Sequence, residues 1–294
     1  MPEDGPVKPA PFDYHCPGEL AEAIATLQRY GDEAKVLAGG QSLIPLLSLR
    51  LSRFDHLIDL RAIEQLKGIT AVDGAIRVGA MTTQAGVARS QDAAAVPLLA
   101  KASAHIGHYQ IRNRGTVGGS LAHADPAAEY PATAVALDAS LEIAGPNGSR
   151  RIAAADFFIS AWVTAMESDE ILVAADFPTW SGNCGWAVDE VARRAGDFAM
   201  CGAICGVELD DQRLSRVALA LFGVGNAPVR AHAAESALAG ATVDDLDLAS
   251  IGAAVAAALD PPDDVHATSG QRRKMVKALV PRVLATAINE ARDA

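Results

Sequence analysis

The residues with the most chemistry per position stand in one run, TVGGSLAHADPAAE, at positions 116–129. A Gly-Gly pair, Gly118 and Gly119, sits between Val117 and Ser120, with Thr116 in front and His123, Asp125 and Glu129 behind. Glycine lets a backbone come within contact distance of a ligand, so the amides and hydroxyls gathered here suit phosphate oxygens. An ordinary glycine turn satisfies the same pattern. The wider stretch 111–131, which adds Ile111, Arg112, Arg114 and Gly115, shows no clean helical or strand period and reads as a functional loop. Two other chemistries use the same residue types. Ser120, His123 and Asp125 could make a hydrolase triad, but they crowd into six positions and no G-x-S-x-G elbow surrounds the serine. His105, His108 and His123 with Asp125 follow no metal-ligand spacing. No residue is therefore read as catalytic and none as a metal ligand.

A second glycine element lies upstream, AGGQSL, formed by Ala38, Gly39, Gly40, Gln41, Ser42 and Leu43. It follows a short apolar strand at 35–38 and precedes a helix that Ser42 could cap. Strand, glycine turn and helix start together aim free amides and a helix dipole at one spot. The element lacks the GK[ST] ending of a P-loop, and it does not complete the G-x-G-x-x-G of a Rossmann turn. Two glycine turns with neutral donors would suit a ligand carrying two phosphates. A plain strand-to-helix turn remains open for this element.

The elements that must position these residues read as follows. Leu20, Ala23, Ile24 and Leu27 recur at helical spacing before Gly31, a helix with a glycine stop. LIDL at 57–60 makes a strand, and Asp73-Gly74 between apolar runs marks a hairpin. Thr82 and Thr83 can start a helix, and 97–106 continues as another that ends near Gly107. A buried helix at 132–137, a second hairpin turning at PNGS, and a strand ended by Pro178 follow. TWSGNCG reads as a linker, with a domain boundary near residue 180. The last third holds a hairpin turning at 210–212 and then three helical stretches, so the fold class is α+β. The cluster Arg272, Arg273, Lys274 and Lys277 reads as a solvated helix face.

Composition narrows the function classes. The 294 residues are half hydrophobic, ample for a core, and 25 Lys plus Arg stand against 36 Asp plus Glu, a net charge of −11. That balance disfavours nucleic acid and anionic membranes as partners. No run approaches a spanning helix and no targeting segment is visible, so a cytoplasmic location is expected. Cys16, Cys184, Cys201 and Cys205 have neither a disulfide-framework pattern nor zinc or iron–sulfur spacing, and read as buried free thiols.

Four segments carry a resemblance: AGGQSL, TVGGSLAHADPAAE, ARRAGDFA at 192–199 and GVGNAPVRA at 223–231. In this order they resemble the FAD-binding medium subunits of the molybdenum hydroxylase family, the class of carbon monoxide dehydrogenase, quinoline oxidoreductase and xanthine dehydrogenase. The resemblance spans essentially the whole chain. It implies a flavin fold of the vanillyl-alcohol-oxidase (PCMH) type followed by a CO-dehydrogenase flavoprotein-type C-terminal domain of three antiparallel strands plus helices. The parts would be 1–62, 63–180 and 185–294. By matching motif positions, residues 38–42 and 116–120 would wrap the FAD pyrophosphate, with Val36 and Leu37 beside the adenosine end. Asp125 and Glu129 would bond ribose and ribityl hydroxyls, and the neighbouring Leu43, Ile111, Gly115, Val117 and His123 belong to the same cofactor-binding segments. Ile106 and Gly107 would flank the isoalloxazine, Leu172 would pack on its other side, and Phe198 would lie near it. Some relatives carry a lysine where Asp189 is placed here. No histidine matches a covalent flavin attachment, so noncovalent FAD is expected. The implied function is electron transfer from two [2Fe-2S] clusters of a small subunit, through FAD, to an external acceptor. The molybdopterin cofactor would lie in a large subunit, the assembly doubling to a dimer of heterotrimers. A stand-alone flavin oxidase and a non-catalytic nucleotide-binding protein are the competing readings.

Overall fold

The computed structural model describes residues 8–294; residues 1–7, which the first expected part includes, lie outside the described residues. The fold is α+β, built in three consecutive units. The first unit contains β1 (Asp13–His15), α1 (Leu20–Tyr30), β2 (Ala34–Leu37), α2 (Leu43–Ser48) and β3 (His56–Asp59). Its three strands are parallel in the order β1-β3-β2. α1 buries Ala23 and Leu27 and stops at Gly31, whose φ of +50° takes the chain out of the helix.

The second unit opens with β4 (Ile69–Val72) and β5 (Ala75–Gly79), joined at Asp73-Gly74. There follow α3 (Gln84–Arg89), α4 (Pro97–His105), α5 (Tyr109–Arg112), α6 (Val117–His123) and α7 (Glu129–Ala136). The unit closes with β6 (Ser140–Gly145), β7 (Gly148–Ala153), α8 (Ala154–Phe157), the small hairpin β8 (Phe158–Ser160) and β9 (Val163–Thr164), and β10 (Ile171–Pro178). Its antiparallel sheet has five strands in the order β4-β5-β10-β6-β7. α7 is buried at every position, because it fills the space between this sheet and the third unit.

The third unit contains β11 (Asn183–Val191), β12 (Cys201–Asp210), β13 (Arg213–Phe222), β14 (Val229–Arg230), α9 (His232–Leu238), α10 (Leu248–Ala257) and α11 (Ser269–Asp293). Three long strands plus the two-residue β14 make an antiparallel sheet of four. Strand alternation splits its side chains between two cores: Trp186, Val188 and Ile204 face the second unit, while Ala187, Cys205 and Val207 face α11. α11 comes so close to β11 that a Cβ on Gly185 would lie 1.8 Å from the Ala287 carbonyl oxygen.

Several sequence expectations need correction. The stretch 111–131 is not one loop: it contains the end of α5, all of α6 and the start of α7. Its small residues and glycines hide the helical period, and the burial of Val117, Gly118 and Leu121 replaces it. Ser42 occupies the N-cap position of α2, but its side chain makes no capping bond. The last three residues of TWSGNCG belong to β11. Arg272 is not on a solvated face; it is 3% exposed and bonded to the carbonyls of Met200 and Gly223 and to Asp264. Cys201 and Cys205 are buried free thiols as expected, whereas Cys16 is exposed and Cys184 half-buried.

Candidate functional site

The first glycine turn joins β2 to α2. The backbone amides of Gly39, Gly40, Gln41 and Ser42 donate to no acceptor among the described residues. Gly40 has a φ of +74°, which turns this short run of amides at low conformational cost. Gln41 folds its side-chain amide back to the Gly39 carbonyl at 3.1 Å. Polar N–H groups left unpaired by the protein require water or a ligand, and four in succession make an anion-binding edge.

The second glycine element behaves differently. Thr116 caps α6, its Oγ1 accepting from the Gly119 amide at 3.0 Å. Val117 donates to the Thr82 carbonyl at 3.0 Å, Gly118 to Ala80 at 2.9 Å and Ser120 to Thr116 at 3.1 Å. Those amides are therefore spent on the protein. The glycines serve close packing instead. A Cβ on Gly118 would lie 2.4 Å from the Ala80 Cβ, and one on Gly119 would lie 2.8 Å from Thr116 Oγ1 and 3.2 Å from the Ala38 Cβ. Across the junction, a Cβ on Gly39 would sit 2.3 Å from the Arg114 carbonyl oxygen, and one on Gly115 2.7 Å from Gln84 Oε1. The two glycine elements thus touch each other backbone to backbone, and the second is the wall that fixes the first.

Beyond the turns, His123 closes α6 and is half-buried; desolvation keeps its imidazole below its ordinary pKa, so it is neutral near pH 7. Asp125 Oδ1 accepts from the Ala127 amide at 2.9 Å, and no donor among the described residues is bonded to its other oxygen. Glu129 is buried at the start of α7, where desolvation pushes its carboxyl up to about 8. Val36 is half-buried on β2, Leu37 is buried, and Leu43 opens α2. Ile106 and Gly107 follow α4, and Arg112 fixes them by donating to both carbonyls at 2.8 Å. Ile111 packs under Gly107, whose added Cβ would be 3.0 Å from Ile111 Cδ1. Leu172 is a core residue, 5% exposed, and Phe198 is 66% exposed. The structure therefore brings Ala38 and Gly39 against Arg114, Gly115 and Gly119 at one junction, places 106–111 beside the third unit, and leaves Leu172 in the core.

The third unit supplies residues that the motif reading missed. Gly196 of the 192–199 segment lies against the His108 ring, 2.5 Å from Cε1 to a Cβ built on it. A cavity of about 290 Å³ is lined there by His105, Gly107, Tyr109, Arg112, Glu190 and Gly196, among others. Asp189 does not face it, because its carboxylate pairs with Arg282 on α11. The next residue, Glu190, turns the other way toward His105. Alternation along β11 carries this signal, since Glu190 shares a face with Trp186 and Val188. Arg272 and the 223–231 segment are holding devices: Gly223 donates to the Pro126 carbonyl at 2.7 Å, and Arg230 donates to the Val135 carbonyl at 2.6 Å.

Unpaired neutral amides on one turn and, among the described residues, a carboxylate with a free oxygen and no lysine or arginine bonded at the turn fit a diphosphate cofactor with hydroxyl groups. The small parallel unit, the five-stranded antiparallel unit and the C-terminal sheet covered by helices make the architecture of an FAD-binding flavoprotein. Residues 10–180 match the family model described as the FAD binding domain in molybdopterin dehydrogenase, and residues 186–287 match the CO dehydrogenase flavoprotein C-terminal domain. The chain belongs to this family of oxidoreductase flavin subunits. It is similar to the 6-hydroxypseudooxynicotine dehydrogenase complex subunit alpha of Paenarthrobacter nicotinovorans, 38% identical over 97% of each chain. It is similar to the carbon monoxide dehydrogenase medium chain of Hydrogenophaga pseudoflava, 34% identical over 94% of this chain and 96% of that one. Among solved structures, carbon monoxide dehydrogenase from Hydrogenophaga pseudoflava superposes with a TM-score of 0.93 at 35% identity, covering 96% of this chain and 99% of that one. Quinoline 2-oxidoreductase from Pseudomonas putida 86 superposes at 0.92 and 36% identity, covering 97% and 99%.

Proposed function

We propose that the chain is the FAD-carrying medium subunit of a molybdenum hydroxylase, working with an iron–sulfur small subunit and a molybdopterin large subunit in a dimer of heterotrimers. The observation that carries this reading is the row of unpaired amides at 39–42, backed by the 115–120 segment. Bound FAD supplies the two-electron carrier between one-electron iron–sulfur donors and an external acceptor. The protein's own residues bind and orient it. Amides 39–42 and the hydroxyls of Ser42 and Ser120 hold the pyrophosphate, and Val36 and Leu37 lie at the adenosine end. Asp125 and Glu129 take cofactor hydroxyls, with Asp125 held ready by its bond to the Ala127 amide. Ile106, Gly107, Leu172 and Phe198 are assigned to the ring environment, and 1–62, 63–180 and 185–294 to the structural parts. Substrate choice then resides in the large subunit, and the location of the assembly is cytoplasmic.

The test is purification with its co-expressed partners. Flavin and iron–sulfur absorbance should appear together, and denaturation should release free FAD, because the attachment is noncovalent. A stable, folded preparation with neither flavin nor partners overturns the reading.

A further inference from the structure

One acid where the second and third units touch is only half engaged by the protein. Glu190 projects from β11 with 9% of its side chain exposed, and its Oε1 lies 3.8 Å from His105 Nδ1 at the end of α4. Its other oxygen, Oε2, is buried without a hydrogen-bond partner among the described residues. A buried acceptor in that state is costly unless a donor from a ligand reaches it. Glu190 lines the cavity of about 290 Å³, and the last side-chain torsion of a glutamate is soft enough to turn Oε2 toward it. Gly107 and Gly196 share that lining, the first from the ring-flanking segment and the second just before Phe198 in the chain. The volume suits a ring rather than a whole dinucleotide.

We infer that Glu190 accepts a hydrogen bond from N3–H of the FAD isoalloxazine and so fixes the imide edge of the ring in this cavity. The inference rests on the FAD reading above. Ring chemistry selects the atom. In the oxidised isoalloxazine N3–H is the single N–H group, and it stands between two carbonyls, so that edge presents acceptor, donor, acceptor. The cavity offers the complement: Glu190 as the acceptor, with donor-bearing side chains of His108, Tyr109 and Arg112 in the same lining. Nη1 of Arg112 is taken by the Ile106 and Gly107 carbonyls, and the rest of its guanidinium is bonded to nothing among the described residues.

The neighbouring acids do not fill this place. Asp189 points to the other face of β11 and pairs with Arg282, Asp125 accepts from the Ala127 amide, and Glu129 does not line the cavity. The role given to Glu190 is to bind and orient the ring. One bond satisfies both the ring N–H and the carboxyl oxygen, so removing either partner leaves the other buried and unpaired, whereas removing both restores the balance.

The test reconstitutes the flavin-stripped holoenzyme with FAD or with N3-methyl-FAD, which lacks the donor, and reads binding rather than turnover. In wild type the dissociation constant for N3-methyl-FAD should exceed that for FAD by about tenfold or more. In Glu190→Leu, which keeps bulk and removes the acceptor, the two flavins should bind within about twofold of each other. In resonance Raman spectra, the flavin band that shifts when N3–H exchanges to N3–D should lie at a different frequency in Glu190→Gln than in wild type, because an amide oxygen replaces a carboxyl oxygen. Equal binding of the two flavins by wild type overturns the inference, as does an undiminished N3-methyl penalty in Glu190→Leu. Should Glu190→Leu fail to assemble, the Raman band decides, and an identical band in wild type and Glu190→Gln overturns the inference. A wild-type complex that takes up neither flavin overturns the underlying FAD reading instead, and the two failures are thereby distinguished.

Discussion

Gly39 and Gly118 have no room for a methyl group, and the reason in each case is another stretch of backbone. Cβ positions 2.3 Å from the Arg114 carbonyl oxygen and 2.6 Å from the Ala80 Cα are closer than a non-bonded carbon can pack. Gly119 is less extreme, so Gly119→Val is the more informative change. Its added methyls must push Thr116 or Ala38 aside, separating the two glycine elements. The expected result is a folded protein whose flavin content after gel filtration falls at least about tenfold, a loss of ~1.4 kcal/mol or more in binding. Wild-type flavin content in that variant would show that the junction does not hold the cofactor. Glu129 makes a second prediction at this scale. Its folded pKa, about 8, lies above that of an unfolded carboxyl, so the folded state binds the extra proton between those values. Stability is therefore full below the ordinary carboxylate range and falls as pH rises toward about 8. His105, also raised, loses its contribution in the same direction. Thermal melts of the flavin-free protein should show Tm declining over that window, and Glu129→Gln should flatten the decline.

At the scale of elements, α6 is a short helix whose start depends on one side chain. Thr116 both caps the Gly119 amide and stands beside Thr83 in an isolated bridge. Thr116→Ala should cost about 1 kcal/mol by denaturant melt, and Thr116→Ser should restore most of it, because the capping oxygen is kept. An unchanged midpoint in Thr116→Ala would mean that tertiary packing alone sets the helix start. α11 presents the opposite case, a long helix anchored by a buried cation. Arg272 joins it to the carbonyls of Met200 and Gly223 and to Asp264, with Asp264 Oδ2 at 2.5 Å. Arg272→Met leaves the two carbonyl acceptors unpaired while Asp264, 41% exposed, can be solvated, at a cost of about 1–3 kcal/mol. Chemical denaturation reads this directly. A loss below about 1 kcal/mol would put the clamp in the class of exposed pairs.

For the whole molecule, the third unit is fastened to the second at several points: Gly223 to Pro126, Arg230 to Val135, and Lys101 to Glu290 at 2.8 Å. The first two are held by carbonyl acceptors in or beside buried segments. The last is more than a third exposed at both ends and contributes little once screened. The units should consequently unfold together, and a single denaturation transition seen by both tryptophan fluorescence and circular dichroism is expected; two separated transitions would contradict it. No helix among the described residues is long and apolar enough to cross a membrane.

Much of this was legible in order along the chain. Leu20, Ala23, Ile24 and Leu27 specify α1 by spacing, Asp73-Gly74 and PNGS specify two hairpins, and the four family segments specify the cofactor class. These signals are local, set by φ preferences and by which positions share a face. Other features depend on what lies opposite. The helix α6 hides in the sequence because glycine and alanine carry little periodic signal, and Ala80 and Thr82, far away in the chain, complete its first turn. Arg272 reads as solvated beside Arg273 and Lys274 until three acceptors from separate segments surround it. Glu190 and His105 are neighbours only because β11 packs against α4. The sequence by itself determined the α+β elements, their order and the residue types that can face a diphosphate. Tertiary structure decided which glycine turn keeps its amides free and which is consumed in supporting it. The physical reason is that a backbone donor is available to a ligand only when no acceptor of the folded chain reaches it first.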